Sequence, residues 1–158
     1  MNALYSTPIV AIAPLFILWF GIGIESKIAT AALCAVFPIL INCASGFATT
    51  DQSYIDVARA FGFGKTQVFR KILLPSALAF IATGIRLGIG RALVGAVVAE
   101  FFGAKAGLGF RILVSGQAFQ TADLLAGVLV LALTGVVALG LVERVERRLA
   151  PWRLEVEL

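Results

Sequence analysis

The residues able to do chemistry in this chain are few. Its 158 residues include no histidine and two cysteines, Cys34 and Cys43. Without imidazole, no Ser-His or Cys-His nucleophile pair can assemble within the chain, and a Cys/His zinc site lacks its ligands. No metal site and no bound cofactor is expected. On a helix Cys34 and Cys43 would face opposite sides, about 13.5 Å apart along the axis; they cannot bridge, and read as small apolar residues. Gly62-Phe63-Gly64-Lys65-Thr66 ends like a phosphate-binding loop, but Arg59 stands where the first glycine is required. The residues before it read as helix rather than strand, which argues against nucleotide binding here. Arg86, Arg91 and Glu100 lie inside an apolar stretch, where ionisable groups are costly and mark function by default. The two arginines could line an aqueous path and attract a small anion such as a sulfonate or nitrate. Equally, they could pair with carbonyls or acids of neighbouring spans, or reach toward an interface. Glu100 is a possible partner in the assembly, although on one straight helix it lies about 21 Å from Arg86.

The elements that must hold these groups are apolar. Hydrophobic residues make up 60% of the chain and charged residues 14%, with a mean hydropathy of +1.00. Soluble domains average about 45–50% apolar and about 25% charged, so neither a soluble globular domain nor a disordered chain fits. Four stretches approach the roughly 20 apolar residues that a spanning helix needs: 8–24, 28–48, 76–102 and 122–142. The first carries Trp19 and Phe20 near one end, as a bilayer interface favours, and Pro14 is expected to kink it. Glu25 and Lys27 are expected in a short turn after it. The fold class is therefore all-α, a polytopic bundle of about four spans forming one membrane domain over 1–158. In the third stretch Gly84, Gly88, Ala92 and Ala96 recur every four residues, a seam that would let another helix approach closely, within the subunit or across two copies.

The net charge is +4, but the basic residues cluster between apolar runs, which reads as membrane topology and not as a nucleic-acid face. Arg59, Lys65, Arg70 and Lys71 lie between the second and third stretches. Arg144, Arg147, Arg148 and Arg153 follow the fourth. The other connections hold only Lys27, Lys105 and Arg111. The 51–75 segment and the C-terminus are thus expected in the cytoplasm, and with four spans the N-terminus joins them. Segment 103–121 is glycine-rich and reads as a short re-entrant or surface helix on the outer side.

Residues 51–75 place Ile55, Ala58 and Phe61, then Val68, Phe69, Ile72 and Leu73, at helical spacing. Gly62 and Gly64 interrupt the run, and Pro75 is expected to end it and open the next helix. The expectation is two short amphipathic helices joined by a sharp turn, with the glycine allowing close packing. The bland alternative is an interfacial helix pair that only anchors the chain to lipid.

This segment resembles the signature of ABC-importer permease subunits, EAA-x3-G-x9-I-x-LP. Asp56 stands at the Glu position, Val57 and Ala58 at the two alanines, and Gly62, Ile72, Leu74 and Pro75 fall in register. Flanking APLFILWFGIG and TGIRLGIGRALVGAVVAEFFGAKAGLG resemble the nitrate/sulfonate/taurine branch, and the likeness runs from about Pro8 to Arg153. The resemblance implies a non-enzymatic subunit of a bacterial inner-membrane importer. Two permease copies, identical or not, would work with cytoplasmic ATPases that bind the ATP and with an extracytoplasmic solute-binding protein. Asp56, Ala58, Gly62, Ile72, Leu74 and Pro75 would meet the ATPase as a coupling helix. Family members are longer, with five or six spans, so one or two N-terminal spans would be missing. The alternatives are a non-transporting membrane scaffold or permease remnant, and an intramembrane enzyme, for which Arg86, Arg91 and Glu100 offer weak support.

Overall fold

A computed structural model describes residues 9–149, with side-chain surroundings for 11–144. The described chain is helical: a 3-10 turn at Ile9–Ile12, then α1 (Ala13–Phe20), α2 (Ile24–Ala48), α3 (Gln52–Ala60), α4 (Lys65–Gly103), α5 (Leu108–Gln117) and α6 (Thr121–Leu149). Among the described residues three helices, not four, are long and apolar enough to cross a membrane: α2, α4, and α6 over Thr121–Arg144.

The first apolar stretch departs from its expected span because glycine breaks it. Gly21 takes φ +76° and its amide closes on the Ile17 carbonyl at 2.8 Å, ending α1 after eight residues. That is about 12 Å of helix, well short of the roughly 30 Å hydrocarbon core. Pro14 does not kink a long helix; it lies in the first turn of a short one, where its missing amide costs nothing. Glu25 and Lys27 lie in the opening turns of α2 rather than in a loop, with Glu25 near the positive end of the helix dipole. The expectation that the N-terminus shares the side of segment 51–75 rested on four spans and loses that basis. Pro8, Pro151 and Arg153 lie outside the described residues.

The bundle is built around an antiparallel pair, α2 and α4, held at close range by glycine on both sides. A Cβ on Gly46 would sit 2.7 Å from the Phe80 Cβ, one on Gly84 2.9 Å from the Asn42 Cβ, and one on Gly88 2.8 Å from the Ile39 Cγ1. Further along, a Cβ on Gly95 would sit 2.8 Å from the Cys34 sulfur. The buried apolar side chains are small, Ala13, Cys34, Ala58, Val68, Ala77 and Ala99, and the largest fully buried ones are Thr30 and Ser26. The Thr30 hydroxyl donates to the Ser26 carbonyl at 2.8 Å, so its burial leaves no polar group unsatisfied. Leu18, Leu129, Leu133 and Val136 stay exposed, as expected of helices that face lipid.

α4 is one continuous helical run of 39 residues, about 58 Å long. Pro75 was expected to separate two helices, but the chain passes through it. The turn just before it, Phe69–Leu73, widens to π geometry, with the Leu74 amide reaching the Phe69 carbonyl. A wide turn relieves the clash between the proline ring and the preceding carbonyls. The Ser76 hydroxyl donates to the Ile72 carbonyl at 2.8 Å, supplying a donor beside the amide that proline lacks.

Candidate functional site

Two ends of α4 carry the chemistry, and the elbow between α2 and α4 is the first. α3 begins at Asp51, whose carboxylate accepts the Ser53 amide at 2.9 Å and the Ser53 hydroxyl. The hydroxyl bond first, then the amide bond, hold the Asp51 carboxyl below the usual carboxylate range. α3 ends in a Schellman turn: the Gly62 amide donates to the Arg59 carbonyl at 2.9 Å and the Phe63 amide to the Ala58 carbonyl at 3.0 Å. Gly62 has φ +76°, and a Cβ there would meet nothing within 4 Å. Its glycine is thus required by backbone conformation, not by the close helix packing expected of it. Gly64 then caps α4, with its amide donating to the Gln67 Oε1 at 3.0 Å.

The motif residues divide between the inside and the outside of this elbow. Ala58 is buried, Ile72 and Leu74 half-buried, and Pro75 and Gly62 exposed. Asp56 is exposed, accepts from the Gln52 amide group at 3.1 Å, and pairs loosely with Arg59 at 3.9 Å, a surface contact of little energetic weight. Ile55 and Ala58 turn toward the protein, while Tyr54, Val57 and Phe61 form an outward stripe on α3, Phe61 being 79% exposed. Tyr54, Phe61, Phe63, Ile72 and Pro75 share an open, mainly apolar cleft of about 440 Å³. The Lys71 ammonium lies 5.0 Å above the Phe63 ring. Sequence reasoning placed Val57 at a motif position without an exposed role and did not single out Tyr54, and it missed Asp51, although an Asp just ahead of an amphipathic run is a legible cap.

At the opposite end of α4, the Glu100 carboxylate does not wait for an arginine. Its Oε2 accepts the Gly109 amide at 2.6 Å, at the N-terminus of α5. Segment 103–121 contains that ten-residue helix. α5 packs on α6, where a Cβ on Gly127 would sit 2.8 Å from the Ile112 Cγ1. Arg111, Ser115, Gln120 and Asp123 line a cleft of about 440 Å³ between them.

Arg86 and Arg91 are both exposed on the described chain. Five residues of helix set them roughly 140° apart, so they do not form a pair on one face of α4. Of the every-four row, Gly84 and Gly88 are buried against α2, while Ala92 and Ala96 are half-buried. The contact with α2 continues at Gly95, beside Cys34 and Ala31, and Ala99 beyond it is buried. Each four-residue step advances about 40° around a helix, whereas a seven-residue step returns to within about 20°.

Comparison with known proteins agrees with this geometry. Residues 1–151 match the family model described as "Binding-protein-dependent transport system inner membrane component". The chain is 40% identical over 99% of its length to the Bacillus subtilis (strain 168) protein named "Putative aliphatic sulfonates transport permease protein SsuC", covering 57% of that protein. It is 35% identical over 92% of its length to the formylaminopyrimidine transport permease protein ThiX of Halalkalibacterium halodurans, covering 58%. To the taurine transport system permease protein TauC of Escherichia coli (strain K12) it is 37% identical over 95% of its length, covering 54%. The chain thus spans a little over half the length of these relatives. The family is one of transport permeases and not of enzymes. A multi-pass helical bundle with an in-register ABC-permease elbow and a family match across 151 residues places this chain among the binding-protein-dependent transport system inner membrane components.

Proposed function

We propose that this chain serves as the transmembrane permease subunit of an ATP-binding-cassette importer in a bacterial inner membrane. In this reading a partner ATPase drives alternating access, and a small solute crosses at a dimer of permease copies after delivery by an extracytoplasmic binding protein. The observation that carries the reading is the elbow. A helix capped at both ends, by Asp51 and Gly62, presents an exposed apolar stripe, Val57 between the aromatic Tyr54 and Phe61, beside the motif residue Asp56. An exposed aromatic cluster with charge at its rim is the composition of a protein-binding hot spot. The basic residues Arg59, Lys65, Arg70 and Lys71 around it support a cytoplasmic elbow, and Arg144 supports the same side for the end of α6.

Arg86 and Arg91, the two cationic groups within the apolar stretch 76–102 of α4, favour a small anionic solute. The relatives' names span sulfonates, taurine, a formylaminopyrimidine and riboflavin, so the anionic class rests on those two side chains. ATP would be held by the partner, since this chain lacks the phosphate-loop glycine at Arg59. The test is co-purification. The membrane-extracted protein should bring down an ATPase subunit, and proteoliposomes of the complex should accumulate solute only with ATP. Isolation without any nucleotide-hydrolysing partner would refute the reading, and partner binding without uptake would favour a non-transporting scaffold.

A further inference from the structure

The junction between α4 and α5 is built around one carboxylate. Glu100 lies three residues before α4 ends at Gly103, and its side chain turns back over the following loop to accept the Gly109 amide. That amide belongs to the first turn of α5, where the helix leaves donors unsatisfied and carries partial positive charge. Two glycines make room for it. Gly107 has φ +134°, and a Cβ there would fall inside the Glu100 carboxylate. A Cβ on Gly109 would sit 2.9 Å from both the Glu100 Oε2 and the Val97 carbonyl oxygen. Both the conformation and the empty space at the start of α5 are therefore shaped to a group carried by α4. The intervening Ala106 carbonyl is also approached by the Lys27 ammonium of α2, at 3.5 Å.

We propose that Glu100 is a positioning residue for transport: its carboxylate clamps α5 to α4, so that the two move as one body and displacement of the elbow reaches the opposite face of the membrane. The mechanical premise is the unbroken helical run from Lys65 to Gly103. A continuous helix carries motion from one end to the other, but a four-residue loop with glycine at its end would swivel unless something fixed it. A charge-assisted bond to a backbone amide is a strong fixing contact at a membrane boundary. α5 in turn packs on α6 through Ile112 and Gly127, so the clamp would deliver the displacement to a second span. This inference rests on the transport reading above, and its test separates the two.

The experiment uses the permease assembled with its ATPase in proteoliposomes, with wild type, Glu100→Ala, Glu100→Gln and Gly109→Ala. Hydrogen exchange reads the clamp directly. Glu100→Ala should speed exchange in residues 107–117 by about tenfold or more, as loss of a charged hydrogen bond implies, with α2 and the rest of α4 unchanged. Uptake per ATP hydrolysed should fall by a similar factor, while ATP hydrolysis stays within about twofold. Glu100→Gln keeps an acceptor oxygen and should recover part of both. Gly109→Ala leaves Glu100 in place but displaces its carboxylate, and should reproduce the alanine variant. Unchanged exchange in 107–117 for Glu100→Ala would overturn the clamp, as would uptake and hydrolysis falling together in proportion to folded protein. A wild-type assembly that hydrolyses ATP without moving solute would sink the transport reading, while the exchange comparison would still decide the clamp.

Discussion

The amide of Phe63 donates to the carbonyl of Ala58 at 3.0 Å, and Gly62 sits at φ +76° inside the turn that this bond closes. The relationship makes a specific demand on residue 62. A left-handed conformation costs an ordinary L-residue about 1–2 kcal/mol, while Asn tolerates it best after glycine. Gly62→Val should therefore loosen the elbow and uncouple solute uptake from ATP hydrolysis while membrane insertion is retained; Gly62→Asn should do much less. Uptake per ATP in reconstituted vesicles checks the ranking. Equal effects of the two variants would show that space, not φ, governs the site.

Three of the glycines in α4 should respond differently to the same methyl group. At Gly84 it would press on the Asn42 Cβ at 2.9 Å and the Ile39 Cα at 3.2 Å, atoms that cannot swing aside. At Gly88 it would meet the Ile39 Cγ1 and Cδ1, side-chain atoms that a rotamer change can shift, at 2.8–2.9 Å, and the Ala35 carbonyl oxygen at 3.2 Å. At Gly90 nothing lies within 4 Å. Thermal melting in detergent should rank Gly84→Ala as most destabilising, by about 1–3 kcal/mol as overpacking costs. Gly88→Ala should be milder, and Gly90→Ala neutral or stabilising by up to about 1 kcal/mol through helix propensity.

Asp51 gives the elbow a pH dependence with a definite sign. Its carboxyl is held below the usual range by the Ser53 hydroxyl and amide. The cap's contribution is then complete above the ordinary Asp value of about 3.9 and is lost as pH falls through the lower folded-state value. Protection from hydrogen exchange in residues 52–60, corrected for the intrinsic rate, should fall below about pH 4 in the wild type. In Asp51→Asn, which keeps an acceptor without a titratable proton, that loss of protection should vanish. Asp51→Ala should show low protection at every pH.

Phe61, 79% exposed, is the most exposed side chain of the elbow's stripe. Phe61→Asp should reduce ATPase association by about thirtyfold or more, the scale of losing a hot-spot aromatic. Arg59→Ala, at the rim, should mainly alter the salt dependence of binding. Immobilised-permease binding assays across ionic strength distinguish the two, and undiminished binding by Phe61→Asp would remove the stripe from the interface.

Much of the fold was legible because hydropathy is strong in lipid-facing helices. The spans expected at 28–48, 76–102 and 122–142 lie within α2, α4 and α6. What escaped was decided by backbone detail. Gly21 broke the first stretch through its conformation, which hydropathy does not register. Pro75 reads as a terminator in sequence, but the π turn before it carries the helix through. The small-residue row at 84, 88, 92 and 96 has a period of four, whereas the glycine contact with α2 passes from Gly88 to Gly95, seven residues on. Of the candidate site, the position of Gly62 was legible, but the reason for it was not. The partner of Glu100 lies in Gly107-Leu108-Gly109, where no periodic pattern pointed.

The small scale of the interior has an experimental corollary. Among the described residues the fully buried side chains are no larger than Thr30 and Ser26, and Val68 is the largest of the nearly buried apolar ones, so there is little bulk to remove, and truncation to alanine, the usual survey of a folded protein, will pass over most of this molecule without a signal. The informative screen runs the other way, adding atoms where helices touch, because adhesion here depends on proximity and not on filled volume.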